Sequence, residues 1–384
     1  MGIFRILLVA GLIGWSLEES CAATLKVNAS VYGFIKASMM SAKRTSKDYK
    51  PFFAEKNVTG VEDYDDDVHS QLTTRQSRLG VKVEQDKVIA LFEWDFDGES
   101  GNTSGVTTSS TGNIRTRLLE VRYKPSEFSE WRIGKKWDLF YAVSPYTYAI
   151  TLAQLFQGNT GFLTEGVEYS YQMGRVRVSA QLQTLGDIPS YKVSVPIPTV
   201  RIEHQVGGSS FYGLAIKAGE IKTEEAKETQ DNVTSTGAKL YSSVDIGRLS
   251  LASEIYKARN LGATTTGGSL SNLGTGTVSD ATGPAGVKDD LDEAGYFLSV
   301  CRKFHGWGLF AGLGYARIDD SETSLQEGAI QSNRVYRLGA DADVEEGLKV
   351  FFEISNLQTS YVADDFELEK VNGGYLDIGM LYKF

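Results

Sequence analysis

The side chains with chemistry to offer gather in the first half of the chain, and they are basic. Arg78 and Lys82 stand at even spacing, as do Arg115 and Arg117, and Arg132 and Lys136. On an extended backbone, even spacing places both members of a pair on one face. Guanidinium groups keep their charge at neutral pH, so such a face attracts and orients anions. Arg177 and Arg201 continue the series, each between apolar neighbours (Val176 and Val178, Val200 and Ile202). Asp138 and Glu165 bound an aromatic-rich stretch that follows the basic pairs. Carboxylates facing a basic row set a transverse field across the space between them.

Other chemistry finds little support. His69, His204 and His305 are far apart and lack metal-ligand spacing or a serine partner. A barrel phospholipase would need a His and a Ser together on one rim. The acidic run at 62–67 lacks the glycine and closing glutamate of a calcium loop and reads as a solvated loop. Nucleotide and nucleophile-elbow motifs are absent, so neither a cofactor nor a metal is implied. The net charge of -10, without a basic tail, argues against nucleic acid.

The elements that must carry these residues are strands. In the closing stretch, 373–384, Leu376, Ile378, Met380, Tyr382 and Phe384 share one parity, while small or charged residues take most of the other. Residues 25–40 alternate in the same way, with Tyr32 and Phe34 as exceptions on the polar side. Beyond the leader, the chain has no apolar run long enough for a helical membrane span. Residues 1–23 read as a cleaved signal peptide: Arg5, an apolar core, and small residues at Ser20-Cys21-Ala22-Ala23. Cys301 is then the only cysteine, which rules out an intramolecular disulfide.

Short turns alternate with long connections along residues 24–384, which implies one domain of about sixteen strands. The expected fold is all-β: a 16-stranded antiparallel transmembrane β-barrel with long extracellular loops and short periplasmic turns. The third long connection, 138–165, carries Leu139, Phe140, Tyr141, Tyr146, Tyr148, Leu152, Leu155 and Phe156, too apolar a set for a solvated loop. It is expected to fold into the barrel rather than pack outside it. Basic side chains facing lipid at mid-depth would cost about 2–4 kcal/mol each, so the basic pairs are assigned to the lumen. Arg115, Arg117 and Arg122 cannot all face inward on a regular strand. The cheapest resolution puts Arg122 and Lys124 at the rim, beside Pro125.

Three stretches carry a resemblance. Ser77-Arg78-Leu79-Gly80-Val81-Lys82, then Arg115-Thr116-Arg117 with 121–123, then 133–140 (Ile-Gly-Lys-Lys-Trp-Asp-Leu-Phe), resemble successive landmarks of the trimeric porins, most closely the DcaP-like branch. The terminal Phe384 resembles the end of a bacterial outer-membrane barrel, a signal for the barrel-assembly machinery. The resemblance implies a homotrimer among outer-membrane lipid and lipopolysaccharide. It would pass small hydrophilic solutes, with a leaning toward organic anions such as dicarboxylates. The residues expected to line a basic constriction are Arg78, Lys82, Arg115, Arg117, Arg132 and Lys136, with Asp138 and Glu165 at the ends of the constricting loop. A barrel with a structural or adhesive role is the alternative, and it predicts little conductance.

Overall fold

The computed structural model describes residues 27–44, 53–54, 68–98, 113–149, 157–184, 191–192, 196–223, 232–263, 291–319, 329–362 and 368–384. The leader, the acidic run at 62–67, most of the glycine- and serine-rich stretches at 98–112 and 262–284, and residues 150–156 lie outside them.

Sixteen antiparallel strands close into one barrel. They are β1 (Asn28–Lys43), β2 (Val68–Thr73 and Arg78–Gln85), β3 (Val88–Gly98), β4 (Asn113–Ser126), β5 (Ser129–Trp137), β6 (Leu163–Met173), β7 (Val176–Thr184) and β8 (Ile197–Gly207). The second half is β9 (Ser210–Thr223), β10 (Asn232–Ile246), β11 (Leu249–Arg259), β12 (Asp292–Lys303), β13 (Trp307–Ile318), β14 (Ile330–Glu345), β15 (Leu348–Val362) and β16 (Leu368–Lys383). A short segment, Tyr191–Lys192, pairs only with the far end of β9. The ladder closes because β1 pairs with β16 on one side and with β2 on the other. Phe384 completes the seam: its N–H donates to the Gly33 carbonyl, and its carbonyl accepts from the Gly33 N–H, each at 3.2 Å.

Alternation decides what each face meets. Val31, Ile35, Ile133, Leu182, Leu240 and Leu338 point out and are exposed, as are Ile378, Met380, Tyr382 and Phe384 on the last strand. An apolar belt this extensive is stable in hydrocarbon and not in water. The inward parity is polar and yet buried: Lys36, Asp95, Arg117, Glu120, Lys136, Glu168, Lys217, Lys239, Glu254 and Glu353 are nearly inaccessible. Buried charges require partners, and the inner wall supplies them.

Three local features depart from the regular pattern read in the sequence. First, β2 is interrupted at 74–77, where it carries one residue more than the facing β1 segment between the pairs Ser38↔Thr73 and Phe34↔Arg78. The Ser77 hydroxyl replaces the lost ladder, accepting from the Lys36 N–H at 3.0 Å and donating to the Thr74 carbonyl at 2.7 Å. Second, β4 continues past Pro125 to Ser126, and β5 begins at Ser129, so the turn between them is only Glu127 and Phe128. Third, β4 has a bulge: Trp94 faces Thr116 while Glu93 faces Leu118, so Arg117 is the extra residue. That bulge removes the parity conflict. Arg115, Arg117 and Arg122 all face inward, and Arg122 stands opposite Ile89, close to the turn that joins β2 and β3.

Gly33 sits at the seam with φ +151°, and a Cβ there would lie 2.3 Å from the Arg78 carbonyl oxygen. Gly33→Val is expected to lose the folded, heat-modifiable band on unheated gel electrophoresis, or to lower its melting midpoint by several degrees.

Candidate functional site: the inner wall and its loop

The inner wall of β2–β8 is built from ion pairs within and between its strands. Arg115 binds Asp95 through two bonds, Nε to Oδ1 at 3.1 Å and Nη2 to Oδ2 at 2.7 Å. The bulged Arg117 reaches Glu93 at 2.9 Å and Asp95 at 3.2 Å, and its guanidinium lies over the rings of Trp137 and Phe162. Arg122 bonds Glu120 at 2.6 Å, Arg132 bonds Glu130 at 2.6 Å, and Arg177 approaches Glu130 at 3.8 Å. Lys136 pairs with Glu168 at 2.9 Å.

These pairs are asymmetric. The side chains of Arg115, Arg122, Arg132 and Arg177 are 25–27% exposed, whereas those of Asp95 and Glu120 are 1% and 2% exposed and that of Glu130 is 14% exposed. The carboxylates lie against the wall and the guanidinium ends face the interior space. Arg117 and Lys136 are different: both show almost no surface, Lys136 buried with Glu168 and Arg117 with Asp95, while Glu93 beside Arg117 is 12% exposed. Removing one partner of such a pair leaves an uncompensated charge and costs about 3–5 kcal/mol. Their first role is therefore to hold the wall.

The connection from β5 to β6 lies against the opposite wall. Asp138 starts it, accepting from the Phe140 N–H at 2.9 Å and from Lys217 of β9 at 2.6 Å. Phe140 is fully buried among Ala215, Tyr241, Ala252 and Phe297, with the Lys239 ammonium 4.1 Å from its ring. Farther along, the Tyr146 N–H donates to Ser299 of β12 at 2.9 Å. The Thr147 hydroxyl and the Tyr148 N–H both donate to Glu353 of β15, at 2.8 and 2.6 Å. The Tyr148 carbonyl accepts from Lys36 of β1 at 2.7 Å, and its ring stacks on Phe351 at 4.2 Å. Burial, with Asp341 close to the phenol, pushes the Tyr148 pKa up, so this ring stays neutral in ordinary buffers.

The returning limb is held as closely. The Thr160 hydroxyl accepts from Lys239 at 2.7 Å, Lys239 also bonds Glu254 at 2.6 Å, and Gln157 accepts from Arg337 at 3.3 Å. Gly158, at φ +100°, leaves no room for a side chain: a Cβ would lie 2.0 Å from the Tyr296 carbonyl oxygen. The loop backbone rests directly on the backbone of β12 and β13.

Of the residues singled out in the sequence, Arg78, Arg115 and Arg117 come together with Glu93 and Asp95. Arg132 joins Arg122 and Arg177 around Glu120 and Glu130. Lys82 pairs locally with Glu84 at 2.6 Å, and Arg78 lies 5.4 Å from the Phe34 ring. Glu165 stands apart: it is exposed on the outward face of β6 with Val167 and Tyr171, because inward parity there falls to Thr164, Glu168 and Ser170. The loop's wall partners Lys36, Lys217, Lys239, Glu254, Arg337 and Glu353 were not singled out. Each is a charge on the inward parity of its strand, among mostly small or apolar neighbours on β1 and β9–β11 and among further polar groups (Asn333, Asp341, Lys349) on β14 and β15. Among the described residues, no group of His, Cys, Asp and Glu could hold a metal.

A closed sixteen-stranded barrel with an apolar exterior and a chain segment laid along its charged interior has the fold of outer-membrane porins. Among solved structures it is similar to the outer membrane channel DcaP of Acinetobacter baumannii, with TM-score 0.71 and 16% identity over 95% of this chain and 99% of that one. It is also similar to Salmonella typhi OmpF in complex with daunomycin (TM-score 0.60, 12% identity, 93% and 97% covered). A trimer form of the Vibrio cholerae outer membrane protein OmpT gives TM-score 0.57 at 14% identity, with 93% and 99% covered. No protein-family model matches the sequence, and no curated protein matches it.

Glu353 joins loop and wall, since it also pairs with Arg337 at 3.1 Å and accepts from the Tyr375 phenol. Glu353→Gln keeps the shape and removes the charge. Amide hydrogen exchange at Tyr148 is expected to quicken by about tenfold, the difference between a charged and a neutral acceptor.

Proposed function

We propose that the chain is a passive channel of the bacterial outer membrane for small hydrophilic solutes, favouring anions and dicarboxylates. The carrying observation is the asymmetry of the Arg115–Asp95 and Arg122–Glu120 pairs, with the guanidinium groups exposed to the interior and the carboxylates packed behind them. A solute crossing beside this wall meets arginine donors, whose fork geometry suits a carboxylate. The loop supports the rest of the reading. Held against β9–β15 and β1, it narrows the passage and leaves the free space on the arginine side.

In this reading residues 1–23 direct export and are removed, the turns face the periplasm, and Phe384 is read by the assembly machinery. The protein is a homotrimer and does no covalent chemistry. The trimer is supported by the assembly of the OmpT neighbour, and the channel by the description of the DcaP neighbour. The structural or adhesive alternative draws only on the long connections.

Liposome swelling tests the reading with solutes of one size and different charge. Entry is expected in the order succinate, then a neutral four-carbon polyol, then 1,4-diaminobutane, with the dianion about tenfold faster than the dication. Equal rates would leave a channel without the proposed preference. No swelling with any solute would favour the structural role.

A further inference from the structure

One part of the barrel's outer surface departs from the plain apolar belt. Across β10–β14 the outward residues form rows set by the ladder register. One row is Leu240, Ile255, Tyr296, Tyr315 and Arg334; the next, toward the loop end, is Ala238, Lys257, Ala294, Arg317 and Ser332. Tyr296 and Tyr315 lie 5.8 Å apart, and Tyr336 stands one row nearer the middle of the belt. Outward tyrosines at this height mark the boundary between hydrocarbon and headgroups. Lys257 and Arg317 lie just beyond it, where a lipid-facing cation is tolerated at little cost.

Their spacing leaves a groove. Lys257 and Arg317 occupy the same row two strands apart, about 10 Å between backbones, with only Ala294 between them. The small side chains of Ala238 and Ala294 open a cavity of about 590 Å³, floored by Leu214, Leu240, Ile255 and Tyr296. Arg334 lies at its edge, 5.0 Å from the Tyr315 ring. Two carboxylates attend this rim: Asp319 binds Arg317 at 2.6 Å, and Asp292 binds Arg259 at 2.7 Å. Among the described residues, Lys257, Arg259, Arg317 and Arg334 outnumber them, so the rim is positive. An apolar floor with a cationic lip matches an amphiphile whose head carries phosphate.

We propose that this groove is a specific site for the phosphorylated, acylated glycolipid of the outer leaflet. One acyl chain lies along the Leu240–Ile255–Tyr296 floor, and a phosphate sits between Lys257 and Arg317. The site depends on the outer-membrane placement and not on conduction.

The test is native mass spectrometry of the purified full-length protein with bis-phosphorylated lipid A, using the dephosphorylated lipid as control. One lipid per protomer is expected to survive detergent removal, and the dephosphorylated form to be lost. Lys257→Glu with Arg317→Glu should lower retention on the order of tenfold. Ala294→Trp, which fills the groove and keeps both charges, should lower it as well. Arg302→Glu, on the same outward face at the turn end, should leave it unchanged. Equal retention of the dephosphorylated lipid, or undiminished retention in the double variant, would overturn the proposal. So would variants that dissociate an oligomer while still holding lipid, since the groove would then be a contact between copies. Swelling rates measured on the same variants keep a failure here separate from a failure of the channel reading.

Discussion

A charge on the inside of this barrel persists because its counter-charge stands nearby, usually on the next strand. Desolvating an isolated ion costs far more than any single contact returns, yet the inner wall holds Arg117, Lys136, Lys217 and Lys239 at almost no exposure. Each is matched: Arg117 with Glu93 and Asp95, Lys136 with Glu168, Lys217 with Asp138, and Lys239 with Glu254. The ladder makes this possible by fixing which residues of adjacent strands share a height and a face. One bulge, at Arg117, brings a third arginine of β4 onto the inner face.

The same interaction divides the interior into two halves with different tasks. On β2–β8 the Arg115–Asp95 and Arg122–Glu120 pairs bury the acid and leave the base more exposed, so guanidinium shows to the space beside them. On β9–β16 and β1 the charges turn to the loop: Lys217 takes Asp138, Glu353 takes Thr147 and Tyr148, and Lys239 takes Thr160. Backbone contact at Gly158 and ring stacking of Tyr148 on Phe351 complete the attachment. In the proposed channel, the seated loop would fix the width of what remains, and the protruding arginines would give that width a sign.

Much of the fold could be read from the sequence because alternation is a local signal. The parity of Ile378, Met380, Tyr382 and Phe384, and of Ala90, Phe92 and Trp94, states directly which face meets hydrocarbon. Turn positions followed from the same rhythm to within a few residues. What alternation cannot report is a change of phase. The break at 74–77 and the bulge at Arg117 each insert one residue, and their cause is a partner on another strand, Lys36 in one case and Glu93 with Asp95 in the other. Hence the bulge that lets Arg122 face inward together with Arg115 and Arg117 went unread, and Glu165 read as a loop-end acid although it faces outward. The loop's wall partners were hidden for a related reason. Glu353 lies more than two hundred positions from Thr147, and a lone inward charge on a strand does not announce what will reach it.

The central claim is that guanidinium groups, and not their buried acids, set the sign of the interior. The reversal potential of the purified protein in a planar bilayer under a KCl gradient reads that sign. The account predicts a potential displaced toward the chloride equilibrium value, collapsing toward zero when Arg122, Arg132 and Arg177 are changed to Gln. Cation preference, or an anion preference unchanged in the triple variant, would contradict it.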